Sequence, residues 1–391
     1  MHQTSQRAGM YVRQPQGYQA FMPKALPPEP PIEISDDLME LLLDAQRWLA
    51  RLDGATRSIP DPGRFVHMYV RREAVLSSQI EGTQSTIFDL LISEGNLAGR
   101  HLPGDVKEVA NYVQAMRFGL DLLTSLPVSV RLIREIHGVL LAGVAGPHLT
   151  PGALRRSQNW IGPPGSTLQN ATFVPPPASV VPDALGDLER FIHTRDRIPL
   201  LVRLGLVHVQ FEMIHPFLDG NGRVGRLLIT LLLVDRGELR EPVLYLSSYF
   251  RQHQQEYYAR LRGVQEEGDW EGWLAYFLKG VAEAGKAAES TASQVQQLRD
   301  VHLRLVIDQL DRGVGNAALV LDTLFSKPII SVQEVRDLTG LTVAPANRLV
   351  GRLVDLGILI EITGQRRHRR FAYQPYIQLF DDPPPAQQAL Q

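Results

Sequence analysis

The sequence predicts a mainly helical protein that closes with a smaller unit of mixed helix and strand. Three observations carry this. Apolar residues recur at helical spacing through most of residues 35–310. One stretch inside that region, from Pro151 to Pro182, has a different texture and reads as strand, turn, strand. From Ala317 to Tyr376 the order becomes helix, helix–turn–helix and hairpin, a winged-helix arrangement. Composition is compatible with several buried cores, since 44% of the 391 residues are hydrophobic, and the length suits two or three domains. A net charge of −2 excludes a chain that binds polyanions with its whole surface, so any nucleic-acid contact must be a local patch. The absence of cysteine excludes disulfides and thiolate metal sites. There is no uncharged run of membrane-spanning length and no signal-type apolar segment, so the expectation is a cytoplasmic protein without membrane association.

Taken in order, residues 1–31 are rich in Gln and Pro and read as an arm that lies extended over the surface or is partly disordered. A helical region over 32–100 follows. Ser35 with Asp36 and Asp37 opens a helix over 38–52, with Leu38, Leu41, Leu42, Ala45, Leu49 and Leu52 on one stripe. Pro60 and Pro62 interrupt the chain before a second helix, 65–80, which runs into Glu81-Gly82. Gly82 can cap that helix, but a helix C-terminus disfavours the Glu81 carboxylate, which needs a cationic partner or points into water. A helical core is expected over 101–281. Within it 106–123 and 130–141 are amphipathic, and His137 on the second helix is given no chemistry. Trp160-Ile161-Gly162 and Ala171-Thr172-Phe173-Val174 form the hairpin, whose exposed edge needs a partner or a function. Later come a turn at Glu241-Pro242, a helix from about Ser247 to Val264, and a last core helix starting at Trp270.

Residues 282–312 read as a linker helix on which Val295, Leu298, Val301 and Leu305 approach a 3.5-residue repeat, a pattern that suits a homodimer. Gly280 to Ala287 and Gly313 to Ala318 mimic two phosphate-binding fingerprints but follow no strand, so both are expected to be turns. In the winged-helix unit, 313–380, the hairpin tip carries Arg366, Arg367, His368, Arg369 and Arg370, and the third helix carries Arg348 and Arg352. A basic wing beside such a helix suits DNA; protein contact is the equal alternative. The tail, 381–391, is expected to be loose.

The chemistry concentrates between His215 and Arg226. Gly220 and Gly222 let backbone approach a ligand closely, and a helix starting there points unpaired N–H groups at an anion. Arg223 and Arg226 lie three apart in the first turn, a pair of forks suited to polyphosphate. Asp219 is the loop's carboxylate for a phosphate-bound Mg²⁺, and His215 can take a proton near neutral pH. Glu212 with His215 also has the spacing of a di-iron ligand pair, but no second Glu-x-x-His occurs in the chain. The parts fit transfer from a nucleoside triphosphate to a hydroxyl.

The run His215-Pro-Phe-Leu-Asp-Gly-Asn-Gly-Arg-Val-Gly-Arg226 resembles the signature of the Fic (filamentation induced by cAMP) family, HxFx(D/E)GNGRxxR, at every fixed position. Ser77, Glu81 and Gly82 match the (S/T)xxxE(G/N) inhibitory motif that accompanies it, in the class where that helix precedes the core. The resemblance implies a Fic helical core with a β-hairpin flap and a protein adenylyltransferase activity, moving AMP from ATP to a Tyr, Thr or Ser hydroxyl of a target protein or of itself. On that reading His215 is the general base and Asp219 holds Mg²⁺. Gly220, Asn221, Gly222 and Arg223 meet the α- and β-phosphates, with Val224 and Gly225 in the same turn. Arg226 holds the γ-phosphate, for which Glu81 competes. The flap residues Asn170, Ala171, Thr172 and Phe173 would clamp the target by strand addition. His253 stands where family members often carry Asn, at the nucleoside end of the pocket. Three other readings remain open: removal of AMP with Glu81 activating water, a different phosphate-linked donor, or a nucleotide-sensing DNA-binding regulator.

Overall fold

The computed structural model describes all residues except 1–6, 58–61, 96–101, 145, 147–148, 164, 311–312 and 382–391. Its first element is one the sequence reading lacked. Strands β1 (Gly9–Arg13) and β2 (Gln19–Pro23) pair antiparallel, so the 1–31 arm contains a hairpin. It is anchored, with Phe21 fully buried and the Arg7 guanidinium forked onto Glu271 at 2.8 and 2.9 Å.

Helices α1 (Asp36–Arg57), α2 (Pro62–Ile80), α3 (Ile87–Glu94), α4 (Val106–Leu123), α5 (Val130–Leu140) and α6 (Val181–His193) surround a central pair, α7 (Leu200–Ile214) and α8 (Asn221–Asp235). The expected helix starts hold where polar caps exist: Ser35 Oγ accepts from Leu38 N at 3.3 Å, and Ser129 Oγ from Leu132 N at 3.3 Å. Helix α7 is mainly apolar and is buried along nearly its whole length, its polar side chains Arg203, His208, Gln210 and Glu212 included. At Gly205 the side chains of Leu274 and Phe277 lie so close that an added Cβ would meet them at 2.8 and 3.2 Å.

Two expected boundaries move. The helix anticipated from Ser247 to Val264 is broken at His253 into α9 (Ser247–Gln252) and α10 (Gln254–Glu267). Conversely, the last core helix and the linker helix are one element, α11 (Trp270–Gln309), 40 residues and about 60 Å long. Gly280 and Gly285, expected in a turn, lie inside it. They allow close packing instead: a Cβ at Gly280 would sit 2.6 Å from the Tyr249 ring, and one at Gly285 would sit 3.1 Å from Trp48. Of the repeat on this helix, Val295 is buried and Leu298 and Leu305 pack on the core, which leaves Val301 exposed.

The C-terminal unit consists of α12 (Val314–Leu324), β3 (Ile329–Ser331), α13 (Val332–Thr339), α14 (Val343–Asp355), β4 (Ile360–Glu361), β5 (Arg370–Ala372), α15 (Gln374–Ile377) and a closing 3-10 turn. Its sheet is antiparallel in the order β3-β5-β4. Ser331 and Glu334 form a reciprocal cap on α13. The unit rests on α2 through Phe380, whose ring meets Tyr69 edge-on at 5.4 Å. Not all of the basic tip is free: Arg370 bonds Glu334 at 2.8 Å, and Arg369 lies over Phe371 while reaching Asn347 at 3.3 Å. Arg366, Arg367 and His368 are exposed. Among the described residues no helix is long and apolar enough to cross a membrane.

Two glycine substitutions separate packing from chain entropy. Gly54 is exposed within α1 with nothing near its Cβ direction, so Gly54→Ala is expected to raise stability by about 0.5–1 kcal/mol. Gly280→Ala should lower it by about 1–3 kcal/mol, because the Tyr249 ring must move. Denaturant midpoints measured side by side check both signs.

Candidate active site

Helix α7 ends at His215 in the left-handed conformation, φ 47° and ψ 62°. A non-glycine residue there costs about 1–3 kcal/mol and persists only when its surroundings hold it. They do so from several sides. Arg155, 2% exposed, donates through Nε to His215 O at 2.9 Å and through its backbone N–H to Pro216 O at 3.0 Å. Asn159 Nδ2 reaches Phe217 O at 2.8 Å. Asn221 turns its amide back onto Phe217, accepting from its N–H at 2.8 Å and donating to its carbonyl at 2.9 Å. His137, given no role from sequence, stacks on Phe217 with ring centroids 3.7 Å apart. Its Nδ1 accepts from Gly152 N at 2.9 Å, so Nε2 carries the proton that meets Asp219 O at 3.1 Å.

Gly220, φ 76°, then turns the chain into α8, whose first helical hydrogen bond runs from Val224 N to Gly220 O at 3.0 Å. The N–H groups of Asn221, Gly222 and Arg223 precede that bond and form the anion-attracting end of the helix. Val224 is buried, and Gly225 lies against Glu212, whose Oε1 would be 2.5 Å from an added Cβ. The two arginines have different partners. Arg223 bonds Glu108 at 3.0 Å and Asp219 at 3.5 Å. Arg226 donates from Nε to Ser77 Oγ at 2.8 Å, and from Nη2 to Ser77 O at 3.0 Å and Glu81 Oε1 at 2.6 Å. Gly222 makes room for that carboxylate, since a Cβ there would fall 2.3 Å from Glu81 Oε1. Gly82, φ 102°, turns the chain away immediately after it.

A cavity of about 600 Å³ opens over this assembly, lined among others by Glu81, Thr172, Glu212, His215, Arg226 and Tyr258. The electrostatics follow from burial. Burial opposes the imidazolium of His215, and the Arg155 charge adds to this, so its pKa falls to about 4 and the ring is neutral at pH 7. His215 Nδ1 lies 3.4 Å from the Glu212 carbonyl, an arrangement that places the proton on Nδ1 and leaves Nε2 as the acceptor. Glu212 is pushed the other way, up to about 7, by burial against the counter-pull of Arg226, and its Oε1 has no partner among the described residues. For Glu81 burial raises the carboxyl, but the charge and hydrogen bond of Arg226, with the Arg223 charge, together outweigh it and hold the group below the usual range.

The flap is slighter than two strands. Ile161 and Phe173 exchange hydrogen bonds of 2.8 and 3.0 Å, and this is the one rung between the two segments among the described residues. The prolines at 163 and 175–177 cannot donate to a longer ladder. The N-terminal hairpin supports the flap from below: Phe21 N donates to Val174 O at 2.8 Å, and the Phe21 and Phe173 rings lie 5.8 Å apart. Asn170 closes the turn by accepting from Thr167 N at 2.6 Å, and Ala171 packs near Tyr18 and Val174. Thr172 and Phe173 line the cavity, as do Tyr257 and Tyr258 from α10. His253 is not among the lining residues; its ring lies 4.6 Å from that of Tyr249.

Among the described residues no group of three or more His, Asp or Glu is arranged to hold a metal ion by itself. Asp219 is half exposed, with Oδ1 accepting from Gly220 N at 2.7 Å. A single carboxylate beside a phosphate-binding turn fits Mg²⁺ ligated chiefly by phosphate oxygens and water. Sequence reasoning missed Arg155, His137 and Asn159, and met Glu212 only as half of an absent metal pair.

Arg155→Met tests the support of the loop. It removes one of the charges that depress His215 and leaves buried carbonyls without a donor. The His215 pKa is therefore expected to rise above about 4, and stability to fall by ~1–3 kcal/mol. Histidine NMR titration and a denaturant midpoint read the two effects separately.

Comparison with known proteins accords with this geometry. Residues 39–121 match the model described as Fic/DOC family N-terminal, and residues 127–233 match the Fic/DOC family model. A probable protein adenylyltransferase of Aquifex aeolicus is 36% identical over 96 residues, 25% of this chain and 28% of that protein. Protein adenylyltransferase Fic of Drosophila melanogaster is 26% identical over 239 residues, 58% of this chain and 42% of that one. The chain thus spans less than half the length of these curated relatives. A Fic family protein from Desulfovibrio desulfuricans shares the fold with a TM-score of 0.58 at 20% identity, covering 88% of this chain and 97% of that one. A Fic domain containing signaling protein from Bacteroides thetaiotaomicron does so at 0.52 and 16% identity, over 66% and 97% of the two chains. The matched models include both the end of α2 with the adjoining Glu81 and the turn that carries His215 and Arg226, so the chain carries a Fic/DOC N-terminal region over 39–121 and a Fic/DOC region over 127–233.

Proposed function

We propose that this protein transfers AMP from ATP to a Tyr, Thr or Ser hydroxyl of a protein, and that Glu81 restrains the reaction. One observation carries the reading: a neutral imidazole and a carboxylate-capped arginine face the same cavity, at a helix start built to receive phosphate. The names of the Aquifex and Drosophila relatives favour this activity.

His215 Nε2 takes the proton of the incoming hydroxyl, and the oxygen attacks the α-phosphorus. The bond from that phosphorus to the bridging oxygen of the β-phosphate breaks, and pyrophosphate leaves with the electron pair. The helix-start N–H groups and Arg223 stabilise the charge that develops, and Arg226 holds the γ-phosphate. Mg²⁺ at Asp219, when bound with the nucleotide, supplies further neutralisation of the phosphates. Thr172 and Phe173 on the flap offer backbone to an extended target segment. Arg226 cannot serve the γ-phosphate and Glu81 together, so the carboxylate holds activity down without touching His215.

The test incubates wild type, Glu81→Gly, and Glu81→Gly with His215→Ala with α-labelled ATP and Mg²⁺. Labelling of Glu81→Gly should exceed wild type by ~10–100-fold, the worth of a charged hydrogen bond of about 1.5–3 kcal/mol. The added His215→Ala should remove about 10²–10⁴-fold of that gain. Absence of label in every variant sinks the reading, and AMP release from a pre-labelled protein that requires Glu81 would assign the reverse reaction instead.

The C-terminal unit is read as a winged helix. Arg366 and Arg367 at its tip and Arg348 on α14 are exposed and suit contact with DNA phosphates. Duplex binding that weakens with salt, and weakens further in Arg366→Ala with Arg367→Ala while labelling persists, is the expected result.

A further inference from the structure

A second cavity, about 140 Å³, lies where α2, α9, α11 and the segment 243–245 meet. Its walls include Tyr69, Tyr245 and Tyr249, with Ala284 and Ala288 closing the α11 side. Glu73 and Glu283 also line it, against a single guanidinium, Arg72. Glu73 is 2% exposed, and only one of its oxygens is used: Oε1 accepts from Ser247 Oγ at 2.5 Å and from Tyr112 Oη at 3.1 Å. Glu73 Oε2 has no partner among the described residues, and neither has the buried Tyr245 hydroxyl in the same wall.

We propose that this cavity binds a small organic ammonium ion, and that the occupant is coupled to the Glu81–Arg226 contact. A cavity of this volume holds roughly six heavy atoms, about the size of benzene. An ammonium group would give Glu73 Oε2 both a donor and a counter-charge, and tyrosine faces attract cations. The alanines suit a short hydrocarbon portion. An inorganic cation would need about six oxygen ligands, and among the described residues no three His, Asp or Glu converge to hold one. An anion meets two carboxylates. Burial pushes Glu73 up to about 7, against the pull of Ser247, Arg226 and Tyr112, and a bound cation relieves that cost.

The coupling runs through neighbouring polar side chains. Glu73 lies one helical turn before Ser77 on α2. Tyr112 bonds Glu73 and also contacts the Ser77 side chain, and Ser77 Oγ accepts from Arg226 Nε at 2.8 Å. Whatever changes the charge on Glu73 is therefore felt by the guanidinium that Glu81 holds. This second part rests on the proposed AMP transfer; the binding itself does not.

Calorimetry on the full chain at pH 8 compares n-butylammonium, 1-butanol and butyrate, which are similar in size and differ in charge. Saturable binding of n-butylammonium at least tenfold tighter than 1-butanol is expected, with none of butyrate. Ala284→Leu, which fills the cavity and leaves Glu73 untouched, should abolish binding, and Glu73→Gln should weaken it tenfold or more. Should Glu73→Gln not fold, Ala284→Leu and Tyr245→Phe carry the comparison. Equal binding of the alcohol, no binding of the amine, or undiminished binding in Ala284→Leu overturns the site. With the site established, n-butylammonium should change self-labelling of wild type at least threefold and leave Glu81→Gly unchanged. An effect of equal size in both overturns the coupling, as does no effect on a wild type that binds the amine.

Discussion

A guanidinium sealed at the beginning of a helix must have an anion. Arg226 is 3% exposed, beside the N-terminal end of α8, where the backbone already concentrates positive charge. Leaving such a charge unpaired costs roughly 3–5 kcal/mol, so the site is built around supplying a partner. One partner comes from the chain itself: α2 brings Ser77 and Glu81 to the guanidinium across 145 or more residues of sequence. Gly222 is the concession that lets the carboxylate in. Under the proposed function a triphosphate would meet the same demand for negative charge, with carboxylate and γ-phosphate then alternatives.

The second constraint is the backbone at His215. A left-handed histidine is an unfavourable local conformation, and the loop keeps it because the carbonyls of His215, Pro216, Phe217 and Asp219 accept from Arg155, Asn159, Asn221 and His137. These residues do not share a helix or a strand. They converge because the segment 152–159 crosses under the loop, with Arg155 N and Nε both spent on it. The N-terminal hairpin extends this support to the flap through Phe21.

Burial also sorts the titratable groups by sign. His137 and His215 are depressed to about 4 and His208 to about 3, each mainly by desolvation, so they stay neutral at pH 7. Their contribution to stability is present above the unfolded pKa near 6.5 and is lost as pH falls toward the folded values. Glu73 and Glu212, raised to about 7, act in the opposite sense. Their contribution is present below about 4.5 and is lost as pH rises through 7. Between about 4.5 and 6.5 the two sets oppose each other. The interior can therefore hold a base, two near-neutral acids and a permanent cation without a steep dependence on acidity across that range.

Much of the helical core was legible because its information is local. Periodic apolar residues marked α4 and α5 to within a residue, and Ser35 announced the start of α1. The turn from His215 to Arg226, with Ser77 and Glu81, was likewise readable, since its chemistry is packed into short strings of particular residue types. What needed the folded chain was every feature decided between distant segments. Apolar periodicity alone did not separate α10 from α9 at His253, and it divided α11 where none of its helical hydrogen bonds is interrupted. Glycines that resembled a turn proved to be contact points for Tyr249 and Trp48. Arg155 and His137 gave no local signal because their partners lie 60 and 82 residues away. Sequence by itself determined which atoms can do chemistry; tertiary structure decided which of them are buried, paired and aimed, because desolvation and hydrogen bonding depend on what surrounds a group in space.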